Sequence, residues 1–139
     1  IKSVIAKVEG RGGERMMGVS DGSGKMALTF YAVRERIGEN LAWVAFWPRT
    51  GRTHQIRVHA SESGFPLVGD YKYGYEDGLV DLPEGKPCLH LHARRLIFEH
   101  PQTGRKVDII APLDIGMRKT FRFFGLSSED KTDPFADIE

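Results

Sequence analysis

The sequence has 139 residues, of which 40% are hydrophobic and 28% are charged, and its net charge is +1. This length suits one domain with a core of its own, and the composition excludes a disordered or fibrous chain. No apolar run approaches the roughly 20 residues that a membrane span requires. No signal-peptide pattern opens the chain, and the single Cys88 cannot form an internal disulfide. We therefore expect a cytoplasmic location and no membrane partner.

Charge is distributed unevenly along the chain. The acidic tail, residues 127–139, contains five acids and one base, so the preceding residues hold 19 basic and 14 acidic side chains. A body with a net charge of +5 is compatible with a nucleic-acid partner but does not require one. Ile1 opens the sequence inside an alternating pattern with no initiator Met, and we interpret the chain as part of a longer protein.

The first part of the chain predicts antiparallel strands. Alternation predicts a strand over Ile1–Val8, a turn at Gly10–Gly13 and a returning strand over Arg15–Val19. After a strong Asp-Gly-Ser-Gly turn signal at 21–24, two longer apolar segments predict a hairpin. These segments are Met26–Arg36 and Leu41–Trp47. Both faces of this hairpin are apolar, so we expect both faces to be covered.

A short helix and a long irregular region are predicted next. Thr53 is a suitable N-cap and Gly64 a suitable C′ residue, which predicts a helix over His54–Ser63. A loop with a compact turn follows as far as Gly74. Tyr75–Pro87 is rich in glycine, proline and acids, which is typical of a mobile surface loop.

The last part predicts a second hairpin and a final helix. Strands are predicted over Leu89–Glu99 and Lys106–Ile110, and Pro112 is predicted to open the helix. An apolar stripe runs along that helix, and the phenylalanines near its end are interpreted as core; these residues are Leu113, Met117, Phe121, Phe123 and Phe124. Strands and helices without regular βαβ alternation indicate an α+β fold, a mixed, mainly antiparallel β-sheet with a few flanking helices.

The most informative stretch is 49–59, Arg-Thr-Gly-Arg-Thr-His-Gln-Ile-Arg-Val-His. Arg57 lies one turn inside the predicted helix, and Arg49 and Arg52 precede the helix. Fixed positive charge on a rigid mount suits the binding of a phosphate or a carboxylate. Most helical arginines lie on a solvated surface, so these residues alone predict an anion site and nothing finer.

Two further groups have alternative interpretations. His90 and His92 would share one strand face, which a metal could use, but no cysteine pair or carboxylate supports them. We favour hydrogen-bonded structural histidines and expect no metal. Arg94 and Arg95, with the basic pair at 105–106, form either a solvated hairpin edge or a patch that contacts phosphates.

The motif at 49–59 and the segment 64–74, Gly-Phe-Pro-Leu-Val-Gly-Asp-Tyr-Lys-Tyr-Gly, closely resemble the RluA-type pseudouridine synthases, which modify large-subunit ribosomal RNA. The strand motif at 24–33, Leu91-His-Ala93, and the segment from His100 to Pro112 are also similar to that family. The resemblance extends from about Glu14 to Phe124. It implies that 1–126 form the C-terminal part of a pseudouridine synthase catalytic domain, ahead of the acidic tail.

The resemblance implies a mechanism without a cofactor. In the family, an aspartate attacks the target nucleoside, the uracil detaches and turns, and it rejoins the ribose through carbon. The Arg-Leu-Asp-x-x-Thr-Ser-Gly segment that carries this aspartate, and the Lys-x-Tyr segment after it, are absent here. Arg57 matches the position that pairs with the aspartate. A cation within ~4–6 Å lowers a carboxylate pKa by about 1–3 units, which keeps the nucleophile ionised.

The resemblance therefore assigns Arg57 as the catalytic residue, with its guanidinium at the rim of an open cleft, unpaired or holding a solvent anion. RNA contacts are assigned to Arg49, Arg52, His54, Gln55, Arg94 and Arg95. The expected partners are ribosomal RNA and the missing N-terminal half of the same catalytic domain, and the chain alone is expected to be inactive. The alternative is a non-catalytic RNA-binding module of the same fold.

Overall fold

The computed structural model describes residues 1–10, 13–83 and 85–138. The predicted turn at Gly10–Gly13 includes two residues outside this described part. The strands and helices in chain order are β1 (Lys2–Gly10), β2 (Gly13–Gly18), β3 (Lys25–Ile37), β4 (Leu41–Pro48), α1 (Gln55–Glu62), β5 (Arg95–Glu99), β6 (Lys106–Ile110) and α2 (Ile115–Phe123). A 3₁₀ turn at Tyr71–Tyr73 lies in the long irregular region between α1 and β5.

The strands form two antiparallel groups. One sheet has the order β2-β1-β3-β4, and β5 pairs with β6 as a separate hairpin. The α+β fold with a mainly antiparallel sheet is confirmed. Within the described ranges, neither helix is long and apolar enough to cross a membrane.

The two faces of the four-stranded sheet are covered by different elements. Ala27 and Thr29 of β3 are fully buried, and the Thr29 hydroxyl contacts His59 of α1. On the opposite face, the Trp43 ring lies 5.1 Å from Phe121 of α2. The Trp47 ring lies 5.7 Å from Phe135, so the acidic tail packs on that face too.

Both hairpin faces carry packed elements, as expected, but the cover on the α1 face is incomplete. Tyr31 and Val33 are 47% and 46% exposed, and the rings of Phe65 and Phe46 lie 5.9 and 6.5 Å from that of Tyr31. The eight residues of α1 span about 12 Å, whereas the thirteen of β3 extend roughly 43 Å. The helix is therefore too short to cover the strand.

The prediction for α1 is confirmed at its C-terminal end and is wrong at its N-terminal end. Gly64 has a left-handed φ of 90° and closes the helix with two backbone bonds, Gly64 N to Ser61 O at 3.0 Å and Phe65 N to Ala60 O at 3.1 Å. Thr53 as N-cap is wrong. His54 occupies the N-cap position with φ 52°, and no side chain caps the helix, because the His54 ring is engaged elsewhere.

Two other boundaries and one core residue differ from prediction. The fifth strand begins at Arg95 and not at Leu89, and α2 begins after Asp114, whose carboxylate accepts the Met117 N–H at 3.0 Å. Phe121 is buried as predicted, but Phe123 is 52% exposed. Two residues rotate about 200° around a helix, so these two phenylalanines point to opposite sides.

Candidate functional site

The site is organised around the buried ring of Tyr73, which lies in the 3₁₀ turn. Its hydroxyl contacts Nδ1 of His54 at 2.8 Å and accepts the Met16 N–H at 3.1 Å. Three cations surround its ring, with Arg57 at 4.9 Å, Arg15 at 5.0 Å and Lys72 at 6.0 Å from the centroid. We call the set Arg15, His54, Arg57, Asp70, Lys72 and Tyr73 the Tyr73 cluster.

Arg57 is held by an internal carboxylate. Its Nε donates to Asp70 Oδ2 at 2.9 Å and its Nη2 to Oδ1 at 2.7 Å. Asp70 is 1% exposed, whereas the Arg57 side chain is 19% exposed. The expectation of an unpaired guanidinium is therefore wrong. Asp70 lies beyond α1 in an irregular loop, and no sequence periodicity indicates that the chain folds back beneath the helix.

The side-on geometry leaves part of the guanidinium available. Nε and Nη2 are used by Asp70, and Nη1 has no hydrogen-bond partner within the described part of the chain. Hydrogen bonding to Asp70 raises the pKa of Arg57 and outweighs the opposite effect of burial. Arg57 is thus a permanent cation, held in one orientation, with one edge able to donate to a second acceptor.

Backbone constraints around Asp70 fix the position of its carboxylate. Gly69 has φ 77°, and a Cβ there would overlap the backbone carbonyl of Cys88, so this position requires glycine. The Asp70 carbonyl accepts N–H bonds from Tyr73 at 3.1 Å and Tyr75 at 3.0 Å. The Gly-Asp pair therefore places the carboxylate and starts the turn that carries Tyr73.

The Tyr73 cluster retains net positive charge despite Asp70. Arg15, Arg57 and Lys72 supply three positive charges against one carboxylate. His54 adds none near neutral pH, because burial, followed by the charges of Arg57 and Lys72, lowers its pKa. Arg15 and Tyr73 of the cluster line a cleft of about 340 Å³ whose lining also includes the acids Glu9 and Glu62 but not Arg57. The cations around the Tyr73 ring, and not the cleft lining, are therefore the part of this site that suits an anionic ligand.

Sequence comparisons were made with this geometry in hand. No protein-family model matches the chain. Ribosomal large subunit pseudouridine synthase C of Pasteurella multocida is 42% identical over 122 residues, which is 86% of this chain. The proteins of the same name from Yersinia pestis and Escherichia coli are 43% identical over 85% of the chain and 41% identical over 77%.

This chain is a relative of the ribosomal large subunit pseudouridine synthases. It spans only 36%, 37% and 34% of the length of these three curated relatives. The alignment therefore covers about a third of each of those proteins.

Gln55 was expected to contact RNA, and its environment in this pseudouridine synthase relative does not fit that role. The side chain is 4% exposed. Its Oε1 accepts bonds from Thr50 Oγ1 and Arg52 N at 2.7 and 3.0 Å, and its Nε2 donates to Leu28 O and Thr29 Oγ1, both at 2.9 Å. These four bonds use the full capacity of the amide. Gln55 therefore holds the 50–52 loop on β3.

Arg49, Arg52 and His54 remain available to a ligand at the start of α1. The Arg49 guanidinium lies 4.3 Å above the Trp47 ring and is exposed. Arg52 donates from Nε to the Met26 carbonyl at 2.9 Å. Neither arginine has a carboxylate partner among the described residues, so both keep an uncompensated charge.

Arg94 and Arg95 do not join this group. Arg95 forms two bonds with Asp108 across the β5–β6 hairpin, at 2.8 and 2.6 Å, and these bonds lower the pKa of Asp108. Arg94 donates to the carbonyl groups of Ala111 and Ser128. The two alternatives for these arginines were a solvated hairpin edge and a patch that contacts phosphates. The geometry of Arg95 fits the hairpin edge, whereas the charge of Arg94 is not offset by a carboxylate.

The histidines of the predicted strand are hydrogen-bonded, as expected. His90 contacts the Cys88 carbonyl through Nδ1 and Thr120 Oγ1 through Nε2, both at 2.7 Å, and His92 lies 3.4 Å from the Ala111 carbonyl. In the described ranges, no group of three potential ligands among His, Cys, Asp and Glu comes together.

Sequence reasoning missed the roles of Arg15, Asp70 and Tyr73. The signal was available for two of them, because Asp70 and Tyr73 lie in the Gly-Asp-Tyr-Lys-Tyr-Gly segment that carries part of the family resemblance. Nothing in the sequence around Arg15 indicated a role for it. It is one arginine on an edge strand, and only the fold brings it over the Tyr73 ring.

Proposed function

We propose that this chain is the C-terminal part of the catalytic domain of an RNA pseudouridine synthase that isomerises specific uridines of large-subunit ribosomal RNA. In that reaction the bond between uracil N1 and ribose C1′ breaks, a bond from C5 to C1′ forms, the C5 proton is lost to solvent and N1 takes up a proton. The names of the relatives support the reaction class. The observation that carries the proposal is the partly free guanidinium of Arg57 in a net positive cluster.

Arg57 is proposed to pair with the nucleophilic aspartate, which lies in the part of the domain that precedes this chain. Asp70 fixes the guanidinium plane in advance, so less side-chain entropy is lost when a second carboxylate arrives. Nη1 would donate to that carboxylate. Because Asp70 offsets the charge of Arg57, the charges of Arg15 and Lys72 supply the positive potential that keeps the nucleophile ionised.

The start of α1 is the proposed RNA contact beside this site. Arg49 and Arg52 keep their charge, and His54 lies between them and the Tyr73 ring. Enzymes that act on a base inside folded RNA must extrude it, at a cost of a few kcal/mol. Phosphate contacts from these arginines would offset that cost and would make binding sensitive to salt.

The proposed protein partner is the N-terminal half of the same catalytic domain. The β5–β6 hairpin pairs with no other described strand, and its apolar side chains Leu96, Ile97, Phe98 and Ile109 are 59%, 40%, 39% and 51% exposed. A lone two-stranded hairpin is marginally stable in water, and exposed apolar surface of this kind marks an interface.

A non-catalytic RNA-binding module of the same fold is the second candidate. The completed Arg57–Asp70 pair favours it, since the arginine needs no external carboxylate to be satisfied. The arginines at the start of α1 would then bind RNA without a reaction.

Release of tritium from large-subunit ribosomal RNA labelled at uridine C5 separates the two candidates. We expect no release from the chain alone and release when the preceding half of the domain is added. Under conditions in which circular dichroism shows the variant to be folded, Arg57→Gln should reduce that release at least about 100-fold, equivalent to about 2.7 kcal/mol in the barrier, and Arg36→Gln should leave it unchanged. Release by the chain alone would overturn the assignment of the nucleophile. RNA binding without release by the mixture would identify a binding module.

A further inference from the structure

The arginines of the described structure fall into two classes according to their partners. Arg34, Arg57 and Arg95 each pair with an aspartate. Others donate only to neutral groups and keep their charge. Four cations without a carboxylate partner among the described residues line a single cleft; they are Arg94, Arg118, Arg122 and Lys131. The cleft has a volume of about 620 Å³ and lies between the end of β6, α2 and the acidic tail.

The positive charge of this cleft is pre-organised. Arg94 donates to the Ser128 carbonyl at 2.7 Å and to the Ala111 carbonyl, and Arg118 donates to the Leu113 carbonyl at 2.9 Å. Bonds to backbone carbonyls fix a guanidinium without cancelling its charge. These two arginines are therefore held in place for an anion, and their ordering cost is met by folding.

The acids of the tail do not neutralise the cleft. Asp130 pairs with Arg34, and Asp133 lies 3.9 Å from Arg95. Glu129 is the one acid in the lining, and no ion pair within 4 Å joins it to another described residue. The four cations and Glu129 give the cleft a net charge of +3.

The rest of the lining is Ser128 and five apolar residues between the end of β6 and the tail; the apolar residues are Ile110, Pro112, Leu113, Phe121 and Leu126. Guanidinium groups match phosphate oxygens in geometry. Leu113 and Phe121 are buried, so the cations are the part of the lining that suits an RNA ligand. Phe121 also contacts Trp43 on the sheet face opposite α1, so this cleft is separate from the Tyr73 cluster.

We propose that this cleft binds the phosphodiester backbone of the RNA substrate as a second contact, on the far side of the sheet from the catalytic site. The proposal rests on the proposed function, because it takes RNA as the ligand. These cations would bind the RNA and fix its position along the protein, and they would take no part in the reaction.

The test compares two double variants that remove the same charge. Arg122→Gln with Lys131→Gln alters the cleft. Lys2→Gln with Arg36→Gln removes two exposed cations from β1 and β3 and is the control. The dissociation constant for a fluorescent single-stranded fragment of ribosomal RNA is measured by anisotropy between about 50 and 200 mM salt. Circular dichroism verifies that both variants are folded.

We expect the cleft variant to lower the slope of log affinity against log salt by about 1.4, because each single-strand phosphate contact contributes about 0.7. The control should retain the slope of the unmodified protein. Arg122→Lys in place of Arg122→Gln should restore about half of the lost slope, since one phosphate contact returns.

Equal slopes for the cleft variant and the control would overturn the proposal. A titration with inorganic phosphate, followed through the Nε–Hε NMR signals of Arg118 and Arg122, tests the alternative source of phosphate. Shifts of those signals together with equal RNA slopes would assign the cleft to a small phosphate ligand and overturn the RNA assignment. The proposed isomerase fails on tritium release and the cleft fails on the salt slope, so the two failures are distinguishable.

Discussion

Asp70 holds the Arg57 guanidinium side-on, through Nε at 2.9 Å and Nη2 at 2.7 Å, with the carboxylate buried and the arginine partly exposed. This cation is thus positioned by residues of this chain alone. Under the proposed function, the cation assigned to the nucleophile is therefore already oriented within this chain. The difference in burial between Asp70 and Arg57 can also be tested directly.

Removing either member of this pair should have unequal effects on stability. Arg57→Gln leaves a buried carboxylate without its cation, so we expect the free energy of unfolding to fall by about 3 to 5 kcal/mol. Asp70→Asn leaves a cation that water can reach, so a loss of about 2 kcal/mol is expected. Urea denaturation at neutral pH measures both values. Equal losses would show that burial does not determine the strength of this pair.

The Tyr73 hydroxyl should contribute separately from its ring. Tyr73→Phe removes the contacts with His54 Nδ1 and Met16 N but keeps the aromatic face for the three cations. A loss of about 1 to 2 kcal/mol is expected. Tyr73→Leu should cost more, because it also removes the cation contacts. Thermal denaturation of both variants provides the comparison, and identical melting temperatures for Phe and Leu would exclude a role for the ring face.

Gly69 should tolerate substitution less well than another left-handed glycine. Gly69→Ala meets both an unfavourable φ of 77° and the backbone carbonyl of Cys88. Gly64→Ala has a similar φ of 90° but open space around the added methyl group, so it measures the cost of φ alone, about 1 kcal/mol. We expect Gly69→Ala to lose at least about 1 kcal/mol more, through strain at Asp70. Equal denaturation midpoints would indicate that the 69–88 contact adjusts freely.

Stability should fall as the solution becomes acidic, because a buried histidine is held neutral. His59 is fully buried, with Nδ1 at 2.8 Å from Thr29 Oγ1 and Nε2 at 2.9 Å from Ser3 Oγ. Burial, followed by the charge of the N-terminus, lowers its pKa below the ordinary 6.5. The unfolded chain therefore binds a proton first as pH falls, so the stabilisation is complete above about pH 6.5 and is lost below it.

One such histidine can change the free energy of unfolding by at most about 1.4 kcal/mol per pH unit. Urea denaturation at several values below neutrality measures it. His59→Gln should reduce the slope, although the lowered pKa of His54 leaves part of it. A slope that is unaffected by this substitution would exclude His59 as its source.

Local patterns in the sequence were sufficient for most of the secondary structure. Strand alternation predicted the two hairpins of the four-stranded sheet, and Gly64 predicted the end of α1. These features depend on neighbours within a few residues, so local chemistry determines them. The start of α1 was missed because His54 is drawn into a left-handed conformation, with its ring bonded to Tyr73, nineteen positions away.

The sequence by itself determined the α+β class, the hairpin pairings and the resemblance to the pseudouridine synthases, because each depends on residue spacing along the chain. The pairing of β1 with β3 was not predicted. Only the tertiary structure decided which cations are free. Arg57 and Asp70 are 13 positions apart, and Arg34 and Asp130 are 96 apart. Whether an arginine meets a carboxylate or a neutral carbonyl depends on how distant segments pack, and that choice decides whether its charge can act on a ligand.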